Sequence, residues 1–388
     1  MSIHQLSGHR GFDSWSSKAD RREALKRLII ASLGLTCAAR VIRADEPPQQ
    51  RLPITEDLFI ADRVDQAIDS GIEALLERQR QDGAIADRGH ATAMTSMAIM
   101  ALASIGVTPE PTTPRGRAIS RALEFVLQPK NQMRGYFGHH DGSRMYGHGI
   151  TTLMLTEMLG MGATVYQNER IHDALASALK VILASQQVSK SPKDRGGWRY
   201  TPDARDSDLS VSVWQVMALR SAKNDGLDVP SKAIEAAIDY LRFSYTSPLK
   251  SDGSPRDVAA GFAYTPGNKH PSFTMTAAGL LALQTCGQYD SPLVRGASQW
   301  LLQHPPKSNS RFFFYGMYYF AQGMHQVGGD AAATANRLVP ELLLPMQSKQ
   351  GHWSGTRGEE RNIGVVYATA LAILSLSVRY HYLPIYQR

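Results

Sequence analysis

DALASALKVILASQQVSKSPKDRGGWRYTPDARDSDLSVSVWQVMALRSA, residues 173–222, carries the pattern that decides the fold. Its first part, 173–187, repeats apolar residues at helical spacing and keeps a charged face, as an amphipathic helix does. A turn follows in DRGGWRYTP (194–202), marked by paired glycines and a tryptophan. The last part, 208–222, is apolar almost all round, which identifies a buried helix.

The same unit recurs along the chain. Further amphipathic helices are expected over 67–79, 117–128, 234–244, 294–303 and 336–347. Further Gly-rich turns fall at 81–85, 133–142, 259–267 and 349–355, and further apolar helices at 90–104, 147–160, 272–286, 312–326 and 364–378. Six units of roughly 35–60 residues give about twelve helices. The fold class is therefore all-α. With the apolar helices inside, the expected architecture is an α/α toroid closed on itself. An open array would leave the first and sixth units with bare apolar faces. The fifth unit fits least well, because its turn, HPPKSNSR (304–311), lacks glycine and an aromatic residue.

Composition agrees. Of 388 residues, 43% are hydrophobic and 20% charged, which excludes a disordered or fibrous chain. Residues 1–44 hold eight basic and three acidic side chains, a net of +5. That leaves only about +2 of the total of +7 for the remainder, so charge gives no reason to expect a nucleic-acid partner. Two cysteines, Cys37 and Cys286, are too few for a disulfide scaffold.

The N-terminus has the layout of an export signal: a charged segment, an apolar run from Leu28 to Ala39, and a cleavage point after Ala44. Arg21-Arg22, with Leu25 and Lys26, resembles the twin-arginine motif. The apolar run is too short to span a membrane, which takes about 18–20 residues. The expected organisation is a signal over 1–44, a flexible leader over 45–60 and the toroid over 61–388, in an exported, periplasmic or extracellular protein. No transmembrane segment is expected after cleavage, and peripheral membrane association is left open.

The turns also carry a resemblance. Leu-x-x-x-Gln followed by glycine and an aromatic, as in LLPMQSKQGHW (343–353) and ILASQQVSKSPKDRGGW (182–198), resembles the QW repeat of squalene and hopene cyclases and of protein prenyltransferase β subunits. The resemblance spans about 60–380 and implies the α/α toroid. Squalene–hopene cyclases place Asp-x-Asp-Asp before an inner helix, where this chain reads Asp206-Ser207-Asp208-Leu209. The resemblance implies that Asp208 corresponds to the acid that protonates the substrate alkene, with Leu209 replacing the last acid. Protein prenyltransferases carry Asp-x-Cys and a later His as zinc ligands. Asp208 and Ala368 stand at those positions here, so neither zinc nor another cofactor is expected.

Helix register brings Ala91, His148, Asp208, Ser272, Phe313 and Val365 to one end of the central cavity. Asp208, Asp206 and His148 are the candidate catalytic residues. An apolar wall and a neighbouring carboxylate would hold one acid neutral. Trp214, Phe273, Phe313, Tyr315 and Tyr367 are candidate cavity aromatics able to face a carbocation, and Arg144 is a candidate anion ligand. Structural alternatives stand beside each: Asp208 as a helix cap, His148 as a satisfied turn residue, the aromatic run as core, GGW and GHW as turn structure. HHDG (139–142) with His148 is an alternative metal site.

Two functions follow as expectations. One is proton-initiated cyclisation of an isoprenoid with Asp208 as acid. The other is a non-catalytic toroid that binds a lipid, a glycan or a protein. A glycan-degrading enzyme with paired carboxylates is a third.

Overall fold

The computed structural model describes residues 56–380 together with Tyr382, Leu383 and Ile385. The export signal and most of the leader lie outside the described residues. Among those described are twelve long α-helices, a single-turn helix at Glu360–Ile363, and no β-strand. The outer helices are α1 (Glu56–Leu76), α3 (Pro114–Val126), α5 (Val165–Gln186), α7 (Ser231–Ser244), α9 (Pro292–Gln303) and α11 (Gly329–Leu343). The inner helices are α2 (Ala91–Ala103), α4 (Arg144–Met158), α6 (Leu209–Asn224), α8 (Phe273–Thr285), α10 (Phe313–Val327) and α12 (Val365–Leu376). Helix α1 starts inside the stretch read as leader.

The inner helices pack in chain order, and α12 returns to pack on α2. The ring is closed, and the architecture is an α/α toroid. Every neighbouring pair is also joined by a hydrogen bond. Ser96 meets Thr151 between α2 and α4, and Gln215 Nε2 donates to Met145 O between α6 and α4. Arg220 joins α6 to α8 through Thr285 O. Gln284 reaches Gly323 O across α8 and α10, and Gln322 reaches Leu374 O across α10 and α12. Ser377, just after α12, donates to Ser104 at the end of α2. Such pairing lets polar side chains sit in an apolar ring without the cost of an unmet donor.

Each outer helix packs most closely on the inner helix before it, whereas the sequence unit pairs it with the one after. One consequence is that α1, which has no inner helix before it, docks on α12. A repeated clamp explains the docking. Gln186, at the end of α5, donates from Nε2 to Gly196 O in its turn and to Ala233 O on α7. Gln79 does the same with Gly83 O and Ala118 O. Gln347 does it with Gly351 O and Ala67 O, and Ala67 lies on α1. The turn glycine must be glycine. At Gly351, with φ of 81°, an added Cβ would lie 2.4 Å from Ser70 O, and at Gly196 1.9 Å from Ala236 O.

The turn tryptophans complete the clamp. Trp198 and Trp353 are fully buried. Their indole N–H groups donate to Ile182 O and Leu343 O. Their backbone N–H groups donate to hydroxyls one turn into the next inner helix, Ser212 Oγ and Thr369 Oγ1. GGW and GHW are thus turn structure, as the structural alternative held.

The closing clamp predicts a stability effect far from the cavity. Gln347→Ala strands two carbonyls and loses two hydrogen bonds, so it should cost about 1–3 kcal/mol in denaturant unfolding. Gln350→Ala, three residues on and exposed, should be nearly silent. Equal midpoints for the two variants would show that the clamp does not hold the ring shut.

Candidate functional site

The N-termini of the inner helices converge on one end of the ring, where a cavity of about 950 Å³ opens. Its inner wall is buried and largely apolar: Met94, Met97, Ile150, Tyr315 and Tyr367. Its mouth carries exposed His90, Arg144, His270, Arg311 and Glu359. The volume matches the range of small-molecule sites, about 300–1,000 Å³. Among the described residues, Glu359 is the one carboxylate that lines it.

Helix N-termini need acceptors for their free N–H groups. Asp208 caps α6 itself, taking Val211 N–H at 2.9 Å, and Ser272 caps α8, taking Met275 N–H at 3.3 Å. Four inner helices begin without a side-chain cap of their own: α4, at Ser143, has Tyr200 O accepting from Met145 N–H at 3.0 Å, and the other three begin at His90, Phe312 and Gly364. Each of these three is capped from the loop of the next unit round the ring. Asp141 accepts from Ala93 N–H on α2 at 3.1 Å. Glu360 accepts from Tyr315 N–H on α10 at 3.3 Å, and Asp87 from Val365 N–H on α12 at 2.7 Å. This arrangement leaves His90 and Phe312, both in left-handed backbone, to face the cavity. The signal for these caps was present in the sequence as three inner helices lacking Ser, Thr, Asp or Asn at their starts.

Asp208 is fully buried and does not itself line the cavity. Its Oδ1 accepts from Ser210 Oγ at 2.5 Å, and Ser210 hydrogen-bonds the Tyr146 hydroxyl, which does line it. Its Oδ2 has no hydrogen bond and lies 3.5 Å from Arg199 Nε. Burial pushes the Asp208 carboxyl above the usual carboxylate range, against its hydrogen bonds and Arg199. Asp206 is exposed and 3.6 Å from Arg199 Nη1, so the two aspartates meet through this arginine rather than directly. Arg199 also stacks over Tyr200 and Tyr264, whose hydroxyls hydrogen-bond each other at the cavity wall.

His148 does not join them. Its helix begins at Arg144, three residues earlier than expected, because Gly147 and Gly149 are helical rather than turn residues. A Cβ on Gly147 would come within 3.0 Å of Ala93 Cβ, and one on Gly149 within 2.7 Å of Trp214 Cβ. His148 therefore lies one turn deeper than the register had placed it. Its Nδ1 accepts from Phe137 N–H at 3.4 Å, as Ser212 Oγ does from Trp198. Its Nε2 donates to Ala178 O at 3.2 Å. Burial holds its pKa down to about 3, so the ring is neutral and structural. His139 and His140 stack edge to face in their turn. Among the described residues no three metal-ligating side chains come together.

The aromatic expectations divide. Phe273, Tyr315 and Tyr367 line the cavity, and so does Arg144. Trp214 and Phe313 do not. Trp214 stacks on Tyr318 in the ring core, with centroids 5.6 Å apart and planes 9° apart. Phe313 packs on Phe314, and its neighbour Phe312 faces the cavity instead. Glu360, Tyr146, Tyr200 and Tyr264 were not singled out from the sequence. Glu360 is buried and also hydrogen-bonds Tyr367, and burial pushes its pKa up to about 7.

No protein-family model matches the sequence, and no curated protein matches it significantly. Among solved structures, the type II terpene cyclase MstE from Scytonema aligns over 83% of this chain and 100% of its own, at 17% identity and a TM-score of 0.49. The GH76A α-1,6-mannanase from Salegentibacter sp. HEL1_6 aligns over 82% of this chain and 99% of its own, at 9% identity and a TM-score of 0.54. The second likeness bears out the α/α toroid. At such identity it extends to the fold and not to the site.

Glu360 sets a pH signature. The folded chain holds this proton up to about pH 7, whereas the ordinary value is 4.5. The folded state binds the extra proton, so the group's contribution is full below 4.5 and is lost as pH rises to about 7. Glu360→Gln keeps the cap without the charge. Relative to the parent it should gain roughly 2–3 kcal/mol of stability across that window. A constant difference between the two proteins from pH 4.5 to 7.5 would refute the assignment. His148 runs in the opposite sense, losing stability as pH falls below 6.5, but it is common to both proteins and cancels.

Proposed function

We propose that the toroid binds an apolar, isoprenoid-like small molecule with its body in the central cavity. The observation that carries this reading is the cavity wall. Met94, Met97, Ile150, Phe273 and five tyrosines offer an apolar and aromatic surface, and among the described residues no carboxylate faces it below the mouth. A glycan hydrolase would need two carboxylates flanking one space. Among the described residues Glu359 alone reaches the cavity, and it sits at the exposed mouth. An apolar body of this size gains about 25 cal/mol for each Å² removed from water.

Incubating the purified full chain with a total lipid extract, washing, and analysing the organic-phase extract by mass spectrometry tests the reading. A retained apolar compound near one per chain is the expected result. Absence of any retained apolar compound would sink it.

Acid-initiated cyclisation is the second reading, favoured by the buried Asp208 and its hydrogen-bonded link through Ser210 to Tyr146. The proton added to one alkene would leave from the final carbocation. Asp208→Asn separates this reading from binding. The asparagine still caps α6, so stability should change little. Ligand retention should also persist. Cyclised product should fall by at least about 10²-fold if Asp208 is the acid. Unchanged product in Asp208→Asn would leave Asp208 as a cap and the protein as a binding module.

A further inference from the structure

A second recess, of about 460 Å³, adjoins the mouth of the main cavity. The two meet at Gly142 and Arg144, which line both. The recess is walled by Tyr136 and His139 on one side and by Thr201 and Asp203 on the other.

Arg144 stands where the two meet, and the chain is bent to put it there. It is the first residue of α4 and has a φ of 57°. Left-handed backbone is disfavoured for a residue with a Cβ. Its N–H donates to Gly138 O at 2.8 Å, and its own carbonyl presses on Gly138, where a Cβ would lie 1.7 Å away. The loop 138–144 is therefore closed around the Arg144 backbone, with its side chain left out of that closure.

The guanidinium is also the unspent cation of the mouth. Arg199 pairs with Asp206 and Asp208, and Arg311 lies 3.7 Å from Glu359. Asp141, the nearest acid in the loop, is occupied by Ser143 and by the N–H of Ala93. Among the described residues no carboxylate forms an ion pair with Arg144. An exposed arginine at the junction of an apolar chamber and a second recess suits an amphiphile whose charged group sits at that junction.

The charge balance narrows the head group. The recess offers one unpaired arginine and faces it with Asp203, an exposed carboxylate held below its usual pKa first by its hydrogen bond from Thr201. A group of one negative charge gains the arginine and tolerates the aspartate. A diphosphate meets the same single arginine with more charge than it can neutralise, and Asp203 repels the excess.

Resting on the proposed apolar-ligand reading, we infer that this recess is a head-group subsite for a carboxylate, anchored by Arg144, so that the ligand is an isoprenoid or other long-chain acid rather than a diphosphate.

The test uses the full chain and three defined probes: retinoic acid, retinol and farnesyl diphosphate. Quenching of tryptophan fluorescence reports the two retinoids, and farnesyl diphosphate is scored by displacement of retinoic acid. Retinoic acid should bind about ten- to a hundredfold more tightly than retinol, the range for a hydrogen bond to a charged group. Arg144→Asn suits left-handed backbone and removes the charge. It should erase that preference, the acid losing far more affinity than the alcohol, while Arg144→Lys should keep much of it. Asp203→Asn should improve farnesyl diphosphate relative to retinoic acid.

Equal affinities of the parent chain for acid and alcohol would overturn the subsite, and so would an Arg144→Asn variant that weakens both alike. A diphosphate that outcompetes the acid in the parent chain would overturn the carboxylate assignment. Binding of neither retinoid would instead strike the apolar-ligand reading and take the subsite with it.

Discussion

Ring closure by the Gln347 side chain is the constraint on which the rest of the molecule depends. Its amide reaches Ala67 O, on the first outer helix, from the end of the last. The same contact is made within the chain by Gln79 and Gln186. A contact that is local in the middle of the array becomes long-range at its ends. The glycine of each clamped turn lets the backbone come close enough, and in two of the three a tryptophan fills the space behind it. Without the last copy, the apolar flanks of α12 and α2 would face water.

Closure has an electrostatic consequence. Six parallel inner helices bring six N-termini to one opening, each the positive end of a dipole. The fold answers with acids in the loops. Asp208 caps its own helix, while Asp141, Glu360 and Asp87 cap a neighbour's. Those acids are consumed by the architecture and leave the mouth with few free negative charges. The chain of caps therefore shapes what the cavity can accept, and it does so before any ligand is considered.

The same economy separates structural from chemical residues. Asp208 serves as a cap, as the partner of Arg199 and as the end of a hydrogen-bonded link to Tyr146. Its elevated pKa arises from burial, and burial follows from capping a helix inside a ring. An acid poised for proton transfer and an acid used only for capping would look alike at this position. His148, by contrast, spends both ring nitrogens on backbone groups and has nothing left for chemistry.

The sequence by itself determined the helices, their inner or outer place and the closed ring. These follow from periodicity and from the near absence of charge in 208–222 and 364–378, which are local properties. Phe273, Tyr315, Tyr367 and Arg144 were legible as cavity candidates from their residue types on or beside the inner helices, but the same reading also named Trp214 and Phe313. Tertiary structure decided the rest. The glycines beside His148 could mean a turn or a close helix approach, and only the positions of Ala93 and Trp214 distinguish the two. Trp214 and Phe313 point into the ring rather than the cavity, a choice set by which neighbouring helix each side chain meets. Glu360 caps a helix that begins 47 residues before it in the chain, at Phe313. Contacts between units depend on curvature of the whole ring, and no window of sequence contains that curvature.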